Sequence, residues 1–494
     1  MISVLAYIFV GALAFSEQHV EGLRVGTVRP FTGKPAVNFR HTDVDHDGLP
    51  DLVLPGAVYF QREGRFPPAN RTAMPAFASM PDIDLWAGRL YCRLPGRLAV
   101  YAWRETGWET VITQAFEWPE MDGPPGTNPD AGRLTRFLCD AEGDGVPEIL
   151  APAPDGLRLY RRKNDEYVRA LTWDVLPELT LAATRDATLW PPGERRISLP
   201  VRQMWCRIIS HEGEVSVLSE NETGANRKVY VRRRYPWTED GALRGTAPAP
   251  QVSRGNPVPA HMQACRLNND GLLDYAGVKW GVSEASTYPA LVHETWASVD
   301  GGATFAVRRM PSLQGFRPHC AFVDFDGDGD MDIVNESCTL QTAGPREMLS
   351  ELLSRAAVDH EIRVYTQTGG AFSQKAGVRV RRTIRLRRPP LRSGPVFERY
   401  VNAELVSIVG DYNGDGYRDL AVQTTPGRIA VYIASGYGYP DTPAATLTVP
   451  EGARFGAADV NADGRSDVVV HPPKSAGGAA ANRTTVFFAG EAAP

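Results

Sequence analysis

A short acidic pattern recurs six times along the chain: an acid or amide at alternate positions 1, 3 and 5, with arginine at position 1 in one copy, then glycine at 6, an acid at 9 and an apolar run. The copies are DVDHDGLPDLVL from Asp43, DAEGDGVPEILA from Asp140, RLNNDGLLDYAG from Arg266, DFDGDGDMDIVN from Asp324, DYNGDGYRDLAV from Asp411 and DVNADGRSDVVV from Asp459. Self-similarity of this kind marks one supersecondary unit stacked on copies of itself. Their starts lie 97, 126, 58, 87 and 48 residues apart, so two gaps are nearly double the others. Degenerate units fill both: DIDLWAGRLYCRL at Asp82, which leads into LAVYAWRETGWETV, and CRIISHEGEVSVL around Arg207, which leads into KVYVRRRY. The count becomes eight.

Each unit reads as a strand entering the loop, the loop, a strand leaving it (LVL, EILA, DIV, DLAV, DVVV) and often a second hairpin such as RLAVYAW or RIAVYIA. Four short strands in roughly 40 to 60 residues make one propeller blade. A lone blade leaves two faces uncovered, so blades must stack around an axis. The expected fold is all-β: a single β-propeller over residues 17–494, with eight blades, seven being the alternative, and the acidic loops in blade hairpins. Its 47 glycines and 39 prolines favour short strands and tight turns. Residues 22–28 are expected to supply the last strand of the final blade. Residues 121–130 and 240–259 read as loop insertions. Residues 345–360 (PREMLSELLSRAAVDH) place Met348, Leu349, Leu352, Leu353 and Ala356 on one stripe, which predicts a short inserted helix.

Residues 2–15 (ISVLAYIFVGALAF) are uncharged and apolar, and Ser16-Glu17-Gln18 follows at once. They read as a signal peptide over residues 1–16, too short to span a bilayer. The expected mature chain is secreted, periplasmic or on the cell surface, with no transmembrane segment. With 53 basic and 58 acidic side chains the net charge is −5, which argues against nucleic acid as the partner.

Calcium takes six to eight oxygens, and carboxylates at positions 1, 3 and 5 of a tight turn converge on one point. Position 9 offers a further carboxylate. The candidate ligand sets are Asp43, Asp45, Asp47 and Asp51; Asp140, Glu142, Asp144 and Glu148; Asp324, Asp326, Asp328 and Asp332; Asp411, Asn413, Asp415 and Asp419; and Asp459, Asn461, Asp463 and Asp467. That makes about five sites. The loop at Arg266 keeps only Asn268, Asp270 and Asp274, and a fixed positive charge stands at its first position, so it is expected to hold no calcium. An EF-hand is excluded, because position 12 is Leu54, Ala151, Asn335, Val422 or Val470 and the flanks read as strands.

These residues carry a family resemblance. The chain resembles the FG-GAP/VCBS repeat proteins, whose blades are similar to those of the integrin α-subunit propeller; Phe455-Gly456 and the alanine-proline end of PEILAPAP are further parts of that signature. The resemblance implies structural calcium sites in hairpin loops. Separately, SVDGGATF, with Ser298, Asp300, Gly302, Thr304 and Phe305, is similar to the Asp-box turn of sialidase-type propellers, a folding element.

In a propeller the innermost strands line the axis. Arg40, Arg136, His261, Gln263, Arg317, His319, Glu404 and Arg454, on the strands entering the loops, are therefore the ligand candidates, suited to carboxylate or sulfate groups of a glycan. The other use of such groups is hydrogen bonding at the channel rim. No G-x-S-x-G, H-E-x-x-H or paired zinc-cysteine motif occurs. The expected function is a non-catalytic binding or adhesion module for glycan or extracellular protein. A polysaccharide lyase with an axial His/Arg site and a structural scaffold of a surface assembly are the alternatives. Five bound calcium ions would carry the formal charge from −5 to about +5, favouring an acidic partner. Residues 379–388 (RVRRTIRLRR) put Arg379, Arg381, Arg385 and Arg387 on one strand face, either a site for an anionic polymer or a charge-protected edge. Cys139, Cys206 and Cys265 stand just before motif starts; Cys320 and Cys338 flank one loop hairpin, where pairing is conceivable.

Overall fold

In the computed structural model the chain is almost wholly β. It describes residues 13–28, 35–75, 83–118, 137–180, 201–282, 291–338, 357–385, 405–472 and 483–491, less short stretches inside these spans. The one helical turn among the described residues is Pro68–Asn70.

Eight sheets of four or more strands occur among the described residues. They cover residues 40–73, 83–115, 138–173, 206–259, 263–309, 316–385, 406–448 and 454–491. Strands that follow one another in the chain lie side by side in each, the local antiparallel pairing that short turns dictate. Every repeat read from the sequence has its own sheet, the degenerate units at Asp82 and Arg207 included. Strands leaving the loops, such as Asp51–Leu54 and Asp467–His471, are buried on both faces apart from the terminal His471. That burial explains why they read as continuous apolar runs instead of alternating ones.

The final sheet is completed by the N-terminal segment. Leu13–Glu21 pairs along its full length with Arg483–Glu491, from Leu13 opposite Glu491 to Glu21 opposite Arg483. Residues 22–28 were expected in this role; instead Val25–Val28 pairs with Pro35–Val37. The earlier segment brings apolar side chains to the position: Leu13 and Phe15 pack against the core, and Phe15 meets Tyr412 edge-on at 6.1 Å. The strand thus begins inside the stretch read as a leader, and cleavage after Ser16 would remove its first four residues.

Two further expectations change. Of the helix expected over 345–360, residues 345–356 lie outside the described residues, and 357–360 open the strand Ala357–Tyr365. His360, Glu361, Ile362, Val364 and Tyr365 are all buried there, as suits an inner strand, while the stripe from Met348 to Ala356 lies outside the described residues. A Cys320–Cys338 disulfide is ruled out by register. Cys320 stands opposite Asn335 and Cys338 opposite Phe316, so the two are about 13 Å apart along the ladder.

The chain divides into two units, one of Met1–His41, Gln61–Arg71 and His261–Pro494, the other of Thr42–Phe60 and Thr72–Ala260. The core of the first gathers Val334, Ile362, Ile408, Leu420, Val422, Ile429 and Val468. The second holds two clusters, one around Tyr91, Val100, Trp118, Phe137 and Leu159, the other around Val44, Val53, Val58, Leu90 and Cys92.

Candidate metal-binding loops

The acidic loops share one backbone frame. The residue just before position 1 pairs with position 9 in five copies: Cys139 with Glu148, Cys265 with Asp274, Val323 with Asp332, Gly410 with Asp419 and Ala458 with Asp467. A fixed hairpin length follows. The sharp bend at position 6 needs a positive φ, +92° at both Gly329 and Gly416, which glycine adopts without strain.

Position 9 closes the hairpin. Asp51, Asp332, Asp419 and Asp467 are fully buried. Their Oδ2 atoms accept the position-2 backbone N–H groups of Val44 (2.7 Å), Phe325 (2.9 Å), Tyr412 (2.7 Å) and Val460 (2.8 Å). Their second oxygens reach further along the chain, where Asp332, Asp419 and Asp467 accept the N–H groups of Gln367 (2.7 Å), Ala434 (2.7 Å) and Ala489 (3.0 Å). The cause lies in position 2. Its side chain is buried, which carries the backbone N–H inside, and a buried N–H needs an acceptor. Burial pushes Asp332 and Asp419 up to about 7 and Asp467 well above the usual carboxylate range.

Position 5 caps position 7. The Oδ1 atoms of Asp47, Asp144, Asp415 and Asp463 accept the N–H groups of Leu49, Val146, Tyr417 and Arg465 at 2.8 to 2.9 Å, and Asp328 does the same for Asp330.

Position 3 separates the loops into two kinds, whereas at position 1 Asp43 accepts the N–H of Gly48 (3.0 Å) just as Asp459 accepts that of Gly464. Asp324, Asp326 and Asp328 bring one oxygen each within 4.8 Å of the others, and so do Asp43, Asp45 and Asp51. Buried Oδ1 atoms of Asp324 and Asp326 accept no hydrogen bond. Burial, then the charge of Asp328, then that of Asp324, raise the Asp326 carboxyl above its ordinary range. An all-oxygen donor set with unmet acceptors fits a hard divalent cation such as calcium. In the loops at Asp411 and Asp459 the third residue is an amide that closes the turn itself. Asn413 Nδ2 donates to Asp415 Oδ2 at 2.8 Å, and Asn461 Nδ2 to Asp463 Oδ2 at 3.0 Å. Asp411 accepts the N–H groups of Gly414 (2.7 Å) and Gly416 (2.9 Å), and Asp459 that of Gly464 (3.0 Å).

Of the second set, Asp140 and Glu142 lie outside the described residues, while Asp144 is exposed and Glu148 buried. At the third loop, Arg266, Asn268 and Asp270 lie outside them, as does the expectation that Arg266 displaces a metal. In the degenerate second unit the acid has changed work: Asp84 Oδ2 accepts the N–H groups of Phe137 (2.8 Å) and Leu138 (2.9 Å).

Neighbouring loops also bond to one another through position 8. Met331 N–H donates to Leu267 O at 2.6 Å, Arg418 N–H to Phe325 O at 2.9 Å and Ser466 N–H to Asp411 O at 2.6 Å. Arg418 adds Nε–H to Asp324 O at 2.9 Å. A Cβ on Gly327 would stand 2.8 Å from Gly416 O, so close approach of the two loops demands glycine there. Nothing in the acidic spacing signalled this link.

Among the axial candidates, Arg40, Gln263, Arg317, His319 and Arg454 lie on first strands of their sheets, Arg40–Thr42, Gln263–Cys265, Phe316–Val323 and Arg454–Ala458. His319 stands opposite Glu336 and Arg454 opposite His471, and no ladder pairs one candidate with another. Arg136, His261 and Glu404 lie outside the described residues. The Asp-box reading gains its hairpin: Ser298 and Phe305 face each other across the Leu291–Ser298 and Phe305–Arg309 ladder.

A comparison with curated proteins finds no match for this chain. Residues 411–470, which hold the last two acidic loops and the sheet between them, match the FG-GAP-like repeat family.

Proposed function

We propose that the eight sheets are the blades of a calcium-stabilised β-propeller, exported from the cell, that binds glycan or protein and performs no chemistry of its own. One observation carries the reading: the Asp324 loop converges three carboxylates, two of them with buried oxygens that accept no hydrogen bond. Asp324, Asp326 and Asp328 would hold one ion and Asp43, Asp45 and Asp51 another. Asp411, Asn413 and Asp415, and likewise Asp459, Asn461 and Asp463, would do so once the asparagine turns its amide oxygen inward. Asp140, Glu142 and Asp144 complete the sequence set. Calcium supplies charge neutralisation; the hairpin itself is already closed by position 9.

Titration calorimetry of chelator-stripped protein tests this, with binding of several calcium ions per chain and a higher melting temperature expected. No calcium uptake and an unmoved melting point would overturn it. Export is tested by N-terminal sequencing of protein recovered outside the cytoplasm, and binding by a glycan array in calcium.

A further inference from the structure

We propose that the outer strand Val378–Arg385 carries a docking surface for a carboxylate-bearing polysaccharide, built on Arg363, Arg379 and Arg381. This rests on the reading of the protein as a binding module and gives that module a ligand class and a place.

The strand is the last in its sheet, and its alternation separates two faces. Val378, Val380 and Ile384 are buried, whereas Arg379, Arg381 and Thr383 are exposed. Arg379 stands opposite Arg363 and Arg381 opposite Glu361, so three arginines share one face of two adjacent strands with Glu361, and Asp359, opposite Thr383, follows at the next position of that face. Glu361 is only 2 % exposed and is already committed. Its oxygens accept Arg363 Nε–H and Nη2–H, each at 3.2 Å, and Arg379 Nε–H as well. Burial opposes its ionisation, but both arginines outweigh that and hold its carboxyl below the usual range. Glu361 therefore fixes Arg363 and Arg379 in place, and the three arginines still outnumber the two acids of this face, Glu361 and Asp359. The Arg381 side chain has no partner among the described residues.

The arrangement is held rigid from behind. On the opposite face Arg382 lies 4.7 Å over the Tyr432 ring and donates to Pro440 O at 2.7 Å, pinning the strand to the next sheet. Inward from Arg379 and Arg363 the same row reaches Asn335, which is buried and whose Nδ2 and Oδ1 meet no protein partner. A charge-protecting edge needs neither a preorganising buried acid nor such a polar inner end. The chemistry selected is the one the face displays: Arg363 grips a carboxylate with two N–H groups, the fork geometry that suits carboxylates.

The test uses the full chain in calcium, with polygalacturonate, dextran sulfate, neutral dextran and single-stranded RNA as probes at low and physiological salt. The wild type is expected to bind polygalacturonate best. Arg381→Glu should weaken that binding at least about tenfold and lower the salt slope by about one, with unchanged melting. Arg428→Glu, on an exposed position of another sheet, should bind as the wild type does. Equal binding of neutral dextran, tighter binding of the sulfate polymer or RNA, or wild-type affinity in both Arg381→Glu and Arg379→Ser would overturn the proposal. Binding of a neutral glycan that survives Arg381→Glu would overturn it too, yet leave the binding-module reading standing.

Discussion

The loops at Asp324 and Asp411 are successive copies with the same register, the same φ at position 6 and the same buried acid at position 9. They differ at position 3, where one has Asp326 and the other Asn413. In the second, one amide group is enough to satisfy the turn, donating to Asp415 at 2.8 Å. In the first, the carboxylate adds a like charge beside Asp324 and Asp328, and its buried Oδ1 accepts no hydrogen bond. One frame thus holds both a turn that closes on itself and a turn whose acids keep buried oxygens without a hydrogen bond.

The strongest way to break the comparison targets what the loops share. Asp332→Ala and Asp419→Ala each strip acceptors from two buried N–H groups, at about 1–3 kcal/mol per group, so both should lose about 2–6 kcal/mol in denaturant unfolding. A large inequality between them would show that position 9 does not serve the two loops alike.

Next in size is the response to pH in chelator. Asp332 and Asp419 are raised to about 7 by burial. An acid raised in the fold contributes its full stability below its unfolded value, near 4, and loses it as pH climbs through the folded value. Metal-stripped protein should therefore melt at progressively lower temperature from about pH 4 to about pH 7. Calcium, which is bound by ionised carboxylates, should flatten that slope, and parallel curves with and without it would refute the idea.

A sharper test exchanges the differing residue. Asp326→Asn should stabilise chelator-treated protein by about 1 kcal/mol, through loss of like-charge repulsion, while weakening calcium binding at that loop. Asn413→Asp should do the reverse. The smallest effect expected is that of Arg418→Gln, which deletes the Nε–H bond to Asp324 O and should cost about 0.5–1.5 kcal/mol by thermal unfolding.

Much of this was legible beforehand. The units at Asp82 and Arg207 were recognisable without their acids because strand–turn periodicity outlasts the loop chemistry, and both have sheets. The work of position 9 was not legible: Asp419 beside Asp411 and Asp415 looks like one more ligand, and only the burial of Tyr412 shows that its N–H needs an acceptor. Residues 13–16 belong to both readings, because an apolar leader and the first half of a half-buried strand have the same composition. Of the helix expected over 345–360 only residues 357–360 are described, and the pairing of Ala357–Tyr365 with strands on both sides makes those four residues strand. For the axial candidates, Arg136, His261 and Glu404 fall outside the described residues, so sequence remains the guide there.

The pairing of Leu13–Glu21 with Arg483–Glu491 has a bearing on biogenesis. A ribosome releases the first of these segments hundreds of residues before it makes the second. Until then Phe15 lacks its partner strand and Leu13–Glu21 has an unfilled edge, a state in which chaperones or an export apparatus would find an extended, apolar handle. Completing the final sheet is thus tied to translation of Arg483–Glu491, and a product truncated before that strand would keep the handle exposed.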